Sequence, residues 1–207
     1  MIEIDPELHL RVLPLAWLLG RWEGAGVGRD HAGVEYRFGQ ELVVGHDGRA
    51  FLSYDSASWV LDDEGRATAP GPRETGYVRP VAAARAGAPR AGGDGSASGP
   101  EELHDTELLL AHSDGIVELY VGARDGARLE LATDAVVRTA DAPGRAAAKR
   151  LYGLVEGDLL WAWDSGEAGE LDSTMSARLR KVGAAPGAAV PPGLLVIQPE
   201  GPGPAAT

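Results

Sequence analysis

The chain has 207 residues, no cysteine, 29 Gly, 14 Pro and a net charge of −12 from 31 acids and 19 bases. That length suits one domain with appendages rather than two full domains. Without cysteine there is no disulfide framework, no thiolate metal site and no cysteine nucleophile, and an acidic chain repels phosphate backbones and anionic lipid, so nucleic acid and membrane surfaces are not expected partners.

No stretch approaches the ~20 consecutive apolar residues of a spanning helix. The first residues carry Glu3, Asp5 and Glu7 rather than the basic start of a secretory signal. The expectation is a soluble cytoplasmic protein.

In chain order, Asp5-Pro6-Glu7 reads as a helix cap followed by Pro at the first helical position. Pro14 stops or restarts that helix. Leu15, Trp17, Leu18 and Leu19 form a short apolar turn ending at Gly20, which suits a left-handed cap. About two helical turns are therefore predicted before the main body.

After Gly20 the apolar pattern changes to a period of two. Strands are predicted over Arg21–Val27, Glu35–Val44, Ala50–Val60, Arg73–Val81, Leu103–His112, Ile116–Ala123, Ala127–Thr133, Arg145–Val155, Asp158–Asp164 and Ser173–Val182. Most connections pair Gly with an acid, as in Ser113-Asp114-Gly115 and Glu156-Gly157-Asp158, which is hairpin chemistry. Short, sequential, hairpin-linked strands without helices between them make an antiparallel up-and-down sheet. Ten such strands close on themselves, because closure removes exposed edges. The fold class is all-β: a ten-stranded antiparallel up-and-down β-barrel over residues 1–182, with room for one small ligand; a sandwich is the alternative. Val81–Pro100, rich in Ala, Gly, Pro and Ser, reads as a flexible insertion, and Gly183–Thr207 as a disordered tail carrying one apolar patch, Leu194–Ile197.

Catalytic and metal signatures are sparse: HExxH, P-loop and GxSxG patterns are absent, and no catalytic residue or metal set is assigned. Acidic pairs such as Asp62-Asp63 and Glu101-Glu102 fall in turns, as solvated surface. Of the five histidines, His9 falls on the first helix and His46 in a turn. His104 and His112 are eight residues apart, roughly 27 Å on an extended strand, so they do not share a metal. His31 follows a glycine cluster and could overlook a cavity mouth. Each histidine is read as facing solvent. Trp161 and Trp163 are two apart and share one strand face, either as core or as an aromatic wall for a flat apolar ligand.

The strongest local signal is the GxWxGxG of Gly20, Trp22, Gly24 and Gly26. Trp22 is expected to plug the barrel floor. Gly24 and Gly26 share its parity, so the strand face above the indole is bare, for close backbone packing or for a ligand.

Residues 14–26, PLAWLLGRWEGAG, together with Arg73-Glu74-Thr75-Gly76-Tyr77-Val78-Arg79, Asp114-Gly115-Ile116-Val117-Glu118, Ala148-Lys149-Arg150 and Ser176-Ala177-Arg178-Leu179-Arg180, resemble the nitrobindin family. The resemblance runs over about residues 8–182. It implies a ten-stranded barrel, similar to fatty-acid-binding proteins, with haem b in its mouth, nitric-oxide handling and isomerisation of peroxynitrite to nitrate. The family's proximal histidine opens an HLxAxLxR pattern on the last strand, and the matching position here is Thr174. A hydroxyl is a poor ligand for ferric iron, and Met175 is turned to the other face by the strand period. Gly28-Arg29-Asp30-His31 also departs from the Tyr-Pro pair usual in the family, and His31 is a candidate substitute ligand. Lys149 matches a family lysine that pairs with a haem propionate.

The resulting expectation is a non-catalytic barrel whose cavity takes an apolar or planar small molecule, with Lys149, Thr174, His31, Trp161 and Trp163 as ligand-binding candidates. A ferric haem peroxynitrite isomerase using a substitute ligand is the enzymatic alternative. A fatty-acid carrier is the third, with Lys149, Arg79 or Arg178 as an inward base. A homodimer stays open.

Overall fold

The structure is a computed structural model that describes residues 6–30, 32–85, 103–167 and 170–184. The expected cap Asp5, His31, the pair Glu101-Glu102, the insertion from residue 86 and the tail from residue 185, with its patch at Leu194–Ile197, lie outside the described residues.

Ten strands follow one 3-10 helix, Leu10–Leu18: β1 (Gly20–Arg29), β2 (Glu35–Gly45), β3 (Leu52–Leu61), β4 (Ala67–Arg85), β5 (Leu103–His112), β6 (Ile116–Asp125), β7 (Arg128–Arg138), β8 (Ala147–Val155), β9 (Asp158–Glu167) and β10 (Glu170–Gly183). Each pairs antiparallel with its sequence neighbour, and β1 closes the barrel against β10. The architecture is the up-and-down closed barrel that the alternating pattern predicts, not a sandwich.

The inner face carries the core. Trp22, Phe38, Leu42, Val44, Leu52 and Leu179 are almost fully buried at alternating strand positions. The helix lies across the end where β1 begins. Trp22 Nε1 donates to Leu18 O at 2.8 Å, so one indole both fills the floor and satisfies a helix-terminal carbonyl. The opposite end, where β4 begins and β5 ends, is the mouth.

Three local expectations are corrected. The helix cap is His9, whose Nδ1 accepts from Arg11 N at 3.1 Å, and Pro14 sits inside the helix without ending it. Gly20 carries φ +143°, an extended positive-φ conformation that starts β1 instead of a left-handed cap. β4 runs from Ala67 to Arg85 rather than from Arg73 to Val81, despite Pro70 and Pro72, so the first residues of the expected insertion pair with β5 instead. Its ladder to β5 stops at Glu74–His112, so both prolines lie on a stretch paired only to β3, where register shifts and a bond from Ser58 Oγ to Pro72 O (2.9 Å) absorb them.

β7 and β8 pair only between Arg128–Ala132 and Lys149–Gly153. Above that ladder Thr133 Oγ1 accepts from Ala148 N at 3.0 Å, and residues 139–146 form a loop at the mouth. No helix among the described residues is long and apolar enough to cross a membrane.

Candidate functional site

A cavity of about 240 Å³ opens at the mouth, between the upper halves of β2, β3, β9 and β10 and the 139–146 loop. It is smaller than the roughly 300–1,000 Å³ of drug-sized ligand sites, so an occupant is small or projects from the mouth. Trp161 and Trp163 both point inward from β9 and are buried, and both line it.

The two tryptophans belong to different environments. Trp161 continues a ladder of tilted rings from Tyr36 through Phe38, with centroids 6.3 and 6.1 Å apart. Its Nε1 donates to Gln40 Oε1 at 2.8 Å, and Gln40 Nε2 donates to Ser56 Oγ at 2.9 Å, which fixes the amide orientation. Trp163 is surrounded by planar polar groups. The His112 ring stacks on it at 6.3 Å and 20°, and the guanidinium groups of Arg145 and Arg150 lie 4.4 and 5.0 Å from its ring centroid.

Beneath them runs a buried network of charges. Glu118, with no exposed side-chain surface, accepts from Tyr120 OH at 2.7 Å and meets His112 Nε2 at 2.7 Å, while Arg145 Nη1 donates to its other oxygen at 3.3 Å. Burial by itself raises its carboxyl. The His112 hydrogen bond, the Arg150 charge and the Tyr120 hydrogen bond outweigh that and hold it at about 2. Glu74 follows the same logic: burial raises it, and the charge and hydrogen bonds of Arg150 bring it below the usual carboxylate value. Arg150 Nη1 donates to Glu74 Oε2 at 3.1 Å and to Tyr152 OH at 3.2 Å, and Nε donates to Tyr120 OH at 3.1 Å. Burial pushes the phenols of Tyr54, Tyr120 and Tyr152 upward.

These residues escaped the sequence reading, although strand parity marks them. Glu118 lies between inward Ile116 and Tyr120, and Arg150 between Ala148 and Tyr152; a charge on an apolar strand face asks for a buried partner. His112, read as facing solvent, has only 3% of its side chain exposed and bridges Glu118 and Glu74. His46 is likewise buried rather than solvent-facing. Among the described residues, no group of three or more His, Asp or Glu is placed to hold a metal ion.

Thr174 and Met175 both line the cavity. The expectation that Met175 faces away is overturned: it shares the parity of Ala177 and Leu179 and joins them on the inner face, opposite Trp163. The β10–β9 register shifts between Ser173 and Met175, and this β-bulge lets the neighbouring Thr174 line the cavity as well. Thr174 is the extra residue of that bulge. Its Oγ1 accepts from Ser165 N at 3.1 Å, lies 2.8 Å from Ser165 Oγ and donates to Asp172 O at 3.1 Å.

The remaining candidates lie away from the cavity. Lys149 is exposed on the outer wall of β8, since the adjacent inward position belongs to Arg150. Arg79 and Arg178 also face outward, beside Glu107 (3.8 Å) and Asp158 (2.6 Å) respectively. A Cβ on Gly24 would lie 2.2 Å from Arg178 O, and one on Gly26 would lie 2.2 Å from Ser176 O and 2.5 Å from Phe38 Cζ. The bare face of β1 therefore serves close backbone packing, and Phe38 fills the space above it.

This barrel and its mouth have counterparts among known proteins. Residues 11–181 match the model of the THAP4-like, heme-binding beta-barrel domain. The chain is 49% identical to a "Ferric nitrobindin-like protein" of Kineococcus radiotolerans, over 87% of this chain and 98% of the relative. It is 43% identical to a "Peroxynitrite isomerase" of Leifsonia xyli subsp. xyli, over 87% of this chain and 99% of that one. The crystal structure of Rv2717c from M. tuberculosis superposes with a TM-score of 0.63 at 26% identity, covering 84% of this chain and 99% of that one.

Proposed function

The chain belongs to the THAP4-like, heme-binding β-barrel family, the nitrobindin-like barrels, and from that premise we propose that it is a binding protein whose mouth cavity takes a small planar or apolar ligand without an imidazole–iron bond. The observation that carries this reading is the state of Thr174. At the position where the family resemblance puts the proximal histidine, the side chain is a hydroxyl held by Ser165 and Asp172 within a β-bulge. Among the described residues lining the cavity, the one histidine is His112, and both its ring nitrogens face carboxylates, Glu118 at 2.7 Å and Glu74 at 3.4 Å. Haem ligated by a free imidazole does not fit this donor set. Lys149, the position matched to the family's propionate-pairing lysine, is on the outer wall. A cytoplasmic location accords with the cysteine-free chain, and its acidic charge accords with a small-molecule ligand rather than nucleic acid.

A second reading is haem held by Met175, the inward-facing thioether of the cavity; thioethers serve as axial ligands in cytochromes c. The fatty-acid reading has less support. It asks for an inward base free to meet a carboxylate, and among the described residues the buried base, Arg150, is already bound to Glu74.

Absorption titration with hemin separates these readings. The native chain is expected to show no saturable Soret shift at one equivalent, and Thr174→His is expected to acquire a five-coordinate ferric spectrum. A saturable shift in the native chain overturns the proposal. Its loss in Met175→Leu then assigns the iron to the thioether.

A further inference from the structure

The Trp163 end of the cavity is already occupied by a planar cation. The Arg145 guanidinium lies 4.4 Å from the indole centroid, with Nη1 3.3 Å from Glu118 Oε1 and Nη2 3.6 Å from Asp114 Oδ2. It reaches this place from the 139–146 loop rather than from a strand, and its side chain is nine-tenths buried. An aromatic face combined with carboxylates is the arrangement that recognises organic cations.

A second observation points to a missing occupant. Trp163 is 6% exposed and lines the cavity, yet its Nε1–H has no hydrogen-bond partner. A buried donor without an acceptor costs about 1–3 kcal/mol. Trp161, two residues earlier on the same face, has its acceptor in Gln40.

We propose that the cavity binds a planar cation of the amidinium or guanidinium type, which replaces the Arg145 guanidinium against Trp163 and between Glu118 and Asp114. This rests on the cavity reading of the preceding section and names the ligand class. The exchange conserves charge: a cation leaves the two carboxylates and another arrives, so the buried Glu118 keeps its full set of counter-charges. The contacts that hold Arg145 to these acids are long, at 3.3 and 3.6 Å, and a loop carries it, so it moves outward without breaking a strand ladder. A ligand with a carbonyl or ring-nitrogen acceptor beside its cationic end also satisfies the Trp163 N–H. An anionic ligand is the opposite case. It would need Arg145 as its counter-ion and would approach the carboxylates of Asp30, Glu74 and Asp114 that line the cavity.

The sign of the Arg145 effect tests this. Calorimetric titration of the full chain would use three probes of one shape: benzamidine, neutral benzamide and anionic benzoate. The native chain is expected to prefer benzamidine. Arg145→Ala removes the internal competitor and is expected to tighten benzamidine by about tenfold, which corresponds to roughly 1.4 kcal/mol, the scale of one cation–π contact. Trp163→Leu is expected to abolish the preference. If benzoate binds best and Arg145→Ala abolishes it, the inference is overturned while the cavity reading stands. Binding of benzamidine to Arg145→Ala but not to the native chain also overturns it, since Arg145 is then a fixed part of the wall. If no probe binds either chain, the cavity reading falls as well. Arg145→Gln, which removes the charge but keeps a polar amide on a shorter side chain, replaces the alanine variant if that chain does not fold by circular dichroism.

Discussion

Arg150 and Glu74 form a buried ion pair across the barrel lumen, with Nη1 3.1 Å from Oε2, although they stand on β8 and β4, four strands apart in the barrel. The pair ties opposite walls together below the cavity. Removing Arg150 takes the main counter-charge from the buried Glu74, leaving it His112 at 3.4 Å, and breaking a buried pair costs about 3–5 kcal/mol. Arg150→Met is therefore expected to lower unfolding stability by that amount in denaturant titration. Replacing both residues by apolar ones, Arg150→Met with Glu74→Leu, is expected to recover most of the loss. An undiminished loss in the double variant would show that the pair's value lies in its tyrosine contacts instead.

Glu118 makes stability depend on acid. Its folded carboxyl is held at about 2, below the 4.5 of a free glutamate. The group therefore stabilises the fold fully above pH 4.5 and ceases to as the pH falls through about 2. A downward shift of this size corresponds to about 3 kcal/mol. The native Tm is expected to fall between pH 4.5 and 2 more steeply than that of Glu118→Gln, whose Tm is lower at pH 7 but flatter in acid. Parallel pH curves for the two chains would remove Glu118 from the account.

Gly24 distinguishes packing from ligand space. A side-chain carbon added there would lie 2.2 Å from Arg178 O, a backbone atom that does not yield cheaply. Gly24→Ala is expected to destabilise the barrel by about 1–3 kcal/mol by overpacking. An alanine variant of native stability with altered ligand binding would assign the glycine to the cavity.

Trp22 combines two roles at the floor: 1% exposure and a 2.8 Å bond to Leu18 O. Trp22→Phe keeps most of the volume but orphans that carbonyl, and is expected to cost about 1–3 kcal/mol. Trp22→Ala also opens a cavity and is expected to cost about 3–5 kcal/mol. Equal losses from the two variants, by thermal melting, would show that the indole N–H rather than its bulk holds the helix to the barrel.

How much of this was legible follows from the range of the interactions. Strand identity is local: side chains alternate with a period of two and turns carry their own glycines and acids. The ten strands, the inward Trp22 and the shared face of Trp161 and Trp163 were therefore readable from the sequence alone, and closure followed from their number. The bulge at Thr174 was not, because an extra residue in one strand is defined by its partner, here Asp164 and Trp163 on β9. It lets Thr174 and Met175, neighbours in sequence, both line the cavity. The same holds for His112, whose solvent-facing reading failed because both its carboxylate partners arrive from other strands. Lys149 and Arg150 show the divide most plainly. In a regular strand their adjacency puts them on opposite faces, but only the closed barrel sets Glu74 across the lumen from Arg150. The sequence by itself determined the barrel and its family. Tertiary structure decided which charges face inward, because a buried charge is tolerated only where a distant strand supplies its counter-charge.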